Sequence, residues 1–110
     1  MAKGEYLGDF EQLVLLALLR LGDEAYGMNV RQEIEDRTGR TAAIGAVYAT
    51  LERLEKKGYV SSTVGEPTEE RGGRAKKYFK IEGDGLSALR QSQEALRRMT
   101  KGLRSVLGEA

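Results

Sequence analysis

Three apolar stripes of helical period, a switch to strict alternation after Gly58 and leucines seven residues apart near the C-terminus predict a mainly α protein with one small β-hairpin. The predicted order is three helices, a two-stranded hairpin and a terminal helix. A chain of 110 residues makes one domain of ordinary size. Its 40% hydrophobic and 32% charged residues supply enough apolar surface to offset chain entropy, as in a folded, soluble protein.

The first helix is expected to begin at Asp9, with Gln12 completing a capping box. Phe10, Leu13, Val14, Leu16, Ala17 and Leu21 give the 3.6-residue period, while Leu15, Leu18 and Leu19 extend the apolar surface round most of the circumference. That width predicts burial on more than one side. Gly22 ends the helix. A second helix is expected from Tyr26 to Thr38, with Met28, Val30 and Ile34 inward, Arg31, Gln32, Glu35 and Asp36 solvated, and Gly39 as the stop.

The third helix, Ala42 to Lys57 and closed by Gly58, places Ile44, Val47, Tyr48, Leu51 and Leu54 on a core-facing stripe. Its reverse face reads Ala42, Ala46, Ala49, Thr50, Arg53 and Lys57, with small residues first and cations last. Small residues let a backbone approach another surface closely. Tyr59 to Val64 and Lys76 to Ile81 then read as strands rich in β-branched and aromatic residues. Between them lie the only proline and a Gly72-Gly73 pair suited to a turn, so a hairpin with a long tip is expected. A last helix, Asp84 to Leu107, carries Leu89, Leu96 and Leu103 at heptad spacing, flanked by Leu86, Met99, Val106 and Leu107. These residues pack either on their own domain or on a twin, and the twin is favoured because three helices and a hairpin already close a core. Gln93, Thr100 and Gly102 shorten the seam.

The chain has no cysteine and no histidine, which excludes disulfides, Cys or His zinc sites and thiol or imidazole nucleophiles. No spacing of carboxylates points to an acid/base pair or a metal cage, so neither a catalytic residue, a metal nor a cofactor is expected. The N-terminal stretch lacks the basic flank and long apolar run of a secretion signal, and Leu13 to Leu19 falls far short of the roughly 20 residues needed to cross a bilayer. A cytoplasmic protein without membrane contact is expected.

Net charge is only +1, yet residues 1–39 hold four basic and eight acidic side chains, whereas residues 40–82 hold nine and six. The excess concentrates in RGGRAKKYFK, Arg71 to Lys80, which has five cations and no acid. Such a run is either a solvated face or a phosphate-binding one. Three helices followed by a hairpin is the order of a winged helix-turn-helix, whose third helix enters the DNA major groove while the hairpin touches neighbouring backbone. In that frame Arg71, Gly72, Gly73, Arg74, Lys76 and Lys77 form a cationic wing. Arg40, Thr41 and Ala43 stand at the third helix's N-terminal end, where base edges are reached. Ala42, Ala46, Ala49 and Thr50 offer methyl contacts to thymine. Tyr48 belongs to the core stripe while its hydroxyl reaches a phosphate, and Arg53 and Lys57 extend the outer face as phosphate ligands.

The segments LGDFEQLVLLALLRLGDEAYGMNVRQEIEDRTGR, GAVYATLERLEKKGYV and RGGRAKKYFKIEGDG resemble the PadR family of bacterial transcriptional regulators, in particular members with a single C-terminal helix. The resemblance runs from about Leu7 to Leu96 and is most specific between Gly45 and Gly58. It implies a dimeric winged-helix DNA-binding protein, usually a repressor and often responsive to a small molecule, that dimerises through its first and last helices. A winged domain over residues 1–82 and a dimerisation helix over 83–110 follow, with Phe10, Leu13, Leu16, Leu89, Leu96, Met99, Leu103 and Val106 at the interface. Two departures are Ala43, where the family often has serine, and Glu82, where it often has threonine, which shifts the expected cap of the last helix to Asp84. The partners expected are a double-stranded DNA operator, a second copy of the chain and a small-molecule effector. A protein-protein adaptor using the same winged fold is the rival reading.

Overall fold

The computed structural model describes residues 6–65 and 76–108. Helix α1 (Asp9–Leu21) is followed by a 3-10 turn at Gly22–Glu24, then α2 (Gly27–Thr38), α3 (Ile44–Lys56), β1 (Val60–Val64), β2 (Lys77–Ile81), α4 (Gly83–Thr100) and a four-residue α5 (Arg104–Leu107). This is the mainly α winged helix-turn-helix expected. The strands pair antiparallel with Val60 opposite Ile81, Ser62 opposite Phe79 and Val64 opposite Lys77. The free edge of β2 is met by the start of α2, where the Phe79 amide donates to the Ala25 carbonyl at 2.8 Å and Tyr26 bridges to Tyr78. The second strand of the wing is therefore fastened to the helical body at Tyr78 and Phe79.

The core gathers Val14, Leu15 and Leu18 of α1, Val30 and Ile34 of α2, Val47, Leu51 and Leu54 of α3, Val60 and Phe79 of the hairpin, and Ala88 and Leu89 of α4. Each large side chain buried here contributes about 1.5–3 kcal/mol of apolar transfer energy. Glycine is required at two contacts. A Cβ on Gly85 would stand 2.2 Å from the Tyr59 carbonyl oxygen, so α4 reaches the hairpin only because residue 85 has none. A Cβ on Gly27 would stand 2.3 Å from Cζ of Tyr48, whose ring lies across the first turn of α2.

Several local expectations are corrected. The cap of α1 lies one residue earlier: Gly8 is the N-cap, and the Glu11 carboxylate accepts its amide at 2.9 Å. Gln12 instead turns back to the Leu7 carbonyl, and Asp9 pairs with Arg40. Met28 is 47% exposed, because the buried stripe of α2 is Gly27, Val30 and Ile34 and Met28 falls on the opposite side. The last helix is not continuous to Leu107. It starts at Gly83 behind the N-cap Glu82, not at Asp84, and stops at Thr100 before Gly102 takes φ +85°. Leu103 and Val106 thus leave the heptad line of Leu89 and Leu96. Leu89, expected at a dimer contact, is 3% exposed within its own chain, since the close approach at Gly85 seats that turn of α4 in the core.

Candidate nucleic-acid interface

Val47, Leu51 and Leu54 fix the rotation of α3, because all three are buried. On a helix of 3.6 residues per turn the line opposite them is Gly45, Ala49, Glu52 and Lys56, and all four are exposed. One edge of this face carries Ala46, Arg53 and Lys57, turned towards α1. The other carries Tyr48, turned towards α2 and the wing. The face is slim at its N-terminal half, where Ala43, Gly45, Ala46 and Ala49 are exposed and Thr41 precedes them in the loop.

Two residues expected on this face are elsewhere. Ala42 is 6% exposed and its amide donates to Glu35 at 2.9 Å, because the chain is still turning inward before α3 begins. Thr50 is 3% exposed, being adjacent to Leu51 and one turn from Val47 on the buried side. Tyr48 is also displaced from its expected place on the core stripe. It is 40% exposed and rests on Gly27 rather than inside the core. Gly27→Ala is expected to push this ring off α2, costing about 1–2 kcal/mol of the kind found on overpacking. A double-mutant cycle checks it: in a Tyr48→Ala background the same alanine should cost almost nothing in thermal melts.

Around the face Arg40, Arg53, Lys57, Lys76 and Lys77 are held by specific partners. Glu11, 8% exposed, takes the Gly8 amide, Arg53 Nε at 3.3 Å and Lys57 Nζ at 3.4 Å. Burial by itself would raise the Glu11 pKa, but the Gly8 amide, Arg53 and Lys57 outweigh it and hold the carboxyl below the usual range. The start of α1 and the end of α3 are thereby tied together. Arg40, in the loop before α3, pairs with Asp9 and lies 5.8 Å over the Phe10 ring. On the wing, Ser62 donates to Glu55 at 2.7 Å and Lys77 Nζ stands 3.9 Å from the same carboxylate, joining the hairpin to α3. Lys76 Nζ sits 4.5 Å from the centroid of Tyr26, which in turn meets Tyr78 edge to face. Arg71, Gly72, Gly73 and Arg74 lie outside the described residues.

The structure brings together Arg40, Thr41, Ala43, Ala46, Ala49 and Arg53 along one side, with Lys57 at the α1 edge and Lys76 and Lys77 on the wing. Sequence reading misses Gly45, Glu52 and Lys56 on the outermost line. Counting back from the buried Val47, Leu51 and Leu54 finds them. It also misses Glu11, whose cationic partners Arg53 and Lys57 lie more than 40 positions away.

Apart from the buried Leu89, the expected dimer residues fall in two groups. Phe10, Leu13 and Leu16 are partly buried against the core. Leu96, Met99, Leu103 and Val106 are exposed, as is Leu19. Leu16, Leu19, Leu86, Leu89 and Leu96 line an open apolar groove of about 710 Å³ between α1 and α4, edged by Arg90 and Arg97. Among the described residues no three acidic side chains cluster to hold a metal ion, and no helix is long and apolar enough to cross a membrane.

The sequence model described as "Transcriptional regulator PadR-like family" matches residues 15–91. No curated protein sequence matches. Among solved structures, a PadR family transcription regulator from Clostridium difficile is 22% identical, with 90% of this chain and 99% of that chain covered at a TM-score of 0.70. One from Eggerthella lenta is 26% identical, with 90% and 84% covered at 0.66. A PadR-like regulator from Bacillus cereus is 18% identical, with 92% and 93% covered at 0.71. With its family signature running from the middle of α1 through α2, α3, the wing and the first half of α4, this chain belongs to the PadR-like family of transcriptional regulators, which is not a family of enzymes.

Proposed function

We propose that the protein is a homodimeric, DNA-binding repressor that responds to a small molecule. The observation that carries this reading is the outer face of α3: slim at Gly45, Ala46 and Ala49, exposed, and bordered by Arg53 and Lys57 on one side and the wing's Lys76 and Lys77 on the other. A helix with so little side-chain bulk can lie deep in a major groove while the flanking cations meet the phosphates. Arg40, Thr41, Ala43 and the Tyr48 hydroxyl serve the same duplex, as do Arg71, Gly72, Gly73 and Arg74 in this reading.

Two copies joined through residues 83–110 and the apolar side of α1 would cover Leu16, Leu19, Leu96, Met99, Leu103 and Val106, and would present two α3 helices to half-sites about one helical turn, roughly 34 Å, apart. An effector would act by changing the angle between the two winged domains. Repression then consists of blocking a promoter, and induction of spoiling the half-site spacing.

Duplex binding over a salt series tests the proposal. Affinity should fall steeply with salt, and Lys77→Ala should reduce the log–log slope by about 0.9 for each phosphate that the variant leaves unneutralised. Sedimentation should report a dimer. A monomer that ignores duplex DNA at low salt would overturn the reading in favour of an adaptor.

A further inference from the structure

Glu52 sits on the outermost line of α3, between the small Ala49 and the cation Lys56, and is exposed. It is the only acid on that line. Every other acid on or against α3 has a partner: Glu11 holds Gly8, Arg53 and Lys57, Glu35 holds the Ala42 amide, and Glu55 holds Ser62 and Lys77. The Glu52 carboxylate has no hydrogen bond or ion pair to any described residue, and Lys56 one turn on does not close on it. Tyr48, the nearest large side chain towards the N-terminus, is folded back over Gly27. Glu52 is therefore the first side chain along the slim face that extends beyond the helix backbone.

A carboxylate at that place is repelled by the phosphates of any duplex. The repulsion is offset only where a base edge offers an amino hydrogen. In the major groove two bases do so. Adenine presents its amino group beside the N7 acceptor, which repels a second acceptor and suits an amide. Cytosine presents the amino group with no acceptor on its own major-groove edge, so a single carboxylate oxygen can take it, which suits a carboxylate. We infer that Glu52 is the specificity-determining residue of α3 and that it accepts a hydrogen bond from the N4 amino group of a cytosine. The inference rests on the DNA-binding reading above. Arg53, Lys57, Lys76 and Lys77 supply attraction common to all sequences, and Glu52 supplies the discrimination.

The test is selection of bound duplexes from a random pool by the full-length wild type, Glu52→Ala and Glu52→Gln, followed by titration of the wild-type consensus and its cytosine replacements. The wild type should enrich a site with a cytosine whose replacement weakens binding roughly tenfold, the size expected of one base contact. Glu52→Ala should bind the original and replaced sites equally and bind random DNA more tightly, and Glu52→Gln should shift the preference at that position towards adenine. Melting curves of both variants should match wild type, since the side chain is exposed. An unchanged consensus in Glu52→Ala, with or without a general gain in affinity, overturns the inference while leaving DNA binding intact. A wild type that enriches nothing overturns both.

Discussion

Gly85→Ala is expected to lower the melting temperature by about 10–20 °C, corresponding to about 3 kcal/mol at the upper end of overpacking costs. The added Cβ would stand 2.2 Å from the Tyr59 carbonyl oxygen and 3.0 Å from Ile81 Cγ1. The first obstacle is backbone, and it is fixed twice over. Tyr59 accepts the Glu82 amide at 2.8 Å and lies between the end of α3 and β1. It cannot swing aside as a side-chain tip can, so α4 itself must lift. Lifting α4 draws Ala88 and Leu89 out of the core and strains the bond from the Leu7 amide to Ser92 Oγ.

Gly83→Ala is the matched control. It adds the same methyl two residues earlier in the same helix, where nothing lies within 4 Å. There the alanine should be neutral or stabilise by up to about 1 kcal/mol through helix propensity and reduced freedom of the unfolded chain. Thermal denaturation followed by circular dichroism separates the two variants. Melting temperatures within about 2 °C of each other would show that α4 is not seated on Tyr59.

These two glycines mark where sequence reading reaches its limit. Both are legible as interruptions before a terminal helix, and their neighbours Leu86 and Leu89 give its period. Nothing local says that one methyl is harmless and the other meets a carbonyl, because the obstacle comes from a residue 26 positions earlier. The same holds within α3. Its stripe of Val47, Leu51 and Leu54 is legible from spacing and is buried. Tyr48 and Thr50 exchange faces relative to expectation, because residue type alone sends an aromatic to the core and a threonine to the surface. Gly27 makes the difference, opening a resting place for the ring on α2 that helical periodicity cannot encode. The heptad of the last helix is legible too, but Gly102 at φ +85° ends the helix before Leu103 can extend it. The wing's strands match expectation to within one residue, since alternation, β-branching and flanking glycines all agree there.

Glu11 is the clearest case of a feature that no local pattern reveals, and its removal carries the other large expected effect. Glu11→Ala should cost about 2–3 kcal/mol: about 1 for the lost cap on α1 and up to about 1 for each of two partly exposed ion pairs. Glu11→Gln keeps an acceptor for the Gly8 amide and loses the charge, so it should cost about half as much. The pH dependence distinguishes this account from mere loss of packing. In the folded protein the Glu11 carboxyl is held below its usual pKa despite burial, because the Gly8 amide, Arg53 and Lys57 favour the anion. Its stabilising contribution is therefore complete above the unfolded-state value of about 4.3 and is lost as pH falls through the lower folded-state value. The stability gap between wild type and Glu11→Gln should stay constant from neutral pH down to about 5 and close below about 4. The same substitution leaves Arg53 and Lys57 without their shared acid on the edge of α3. If that edge meets phosphate, Glu11→Gln should bind duplex DNA more tightly at low salt, with the gain vanishing as salt screens it. A stability gap that persists unchanged at pH 3 would show that the carboxylate does not draw its strength from these cations.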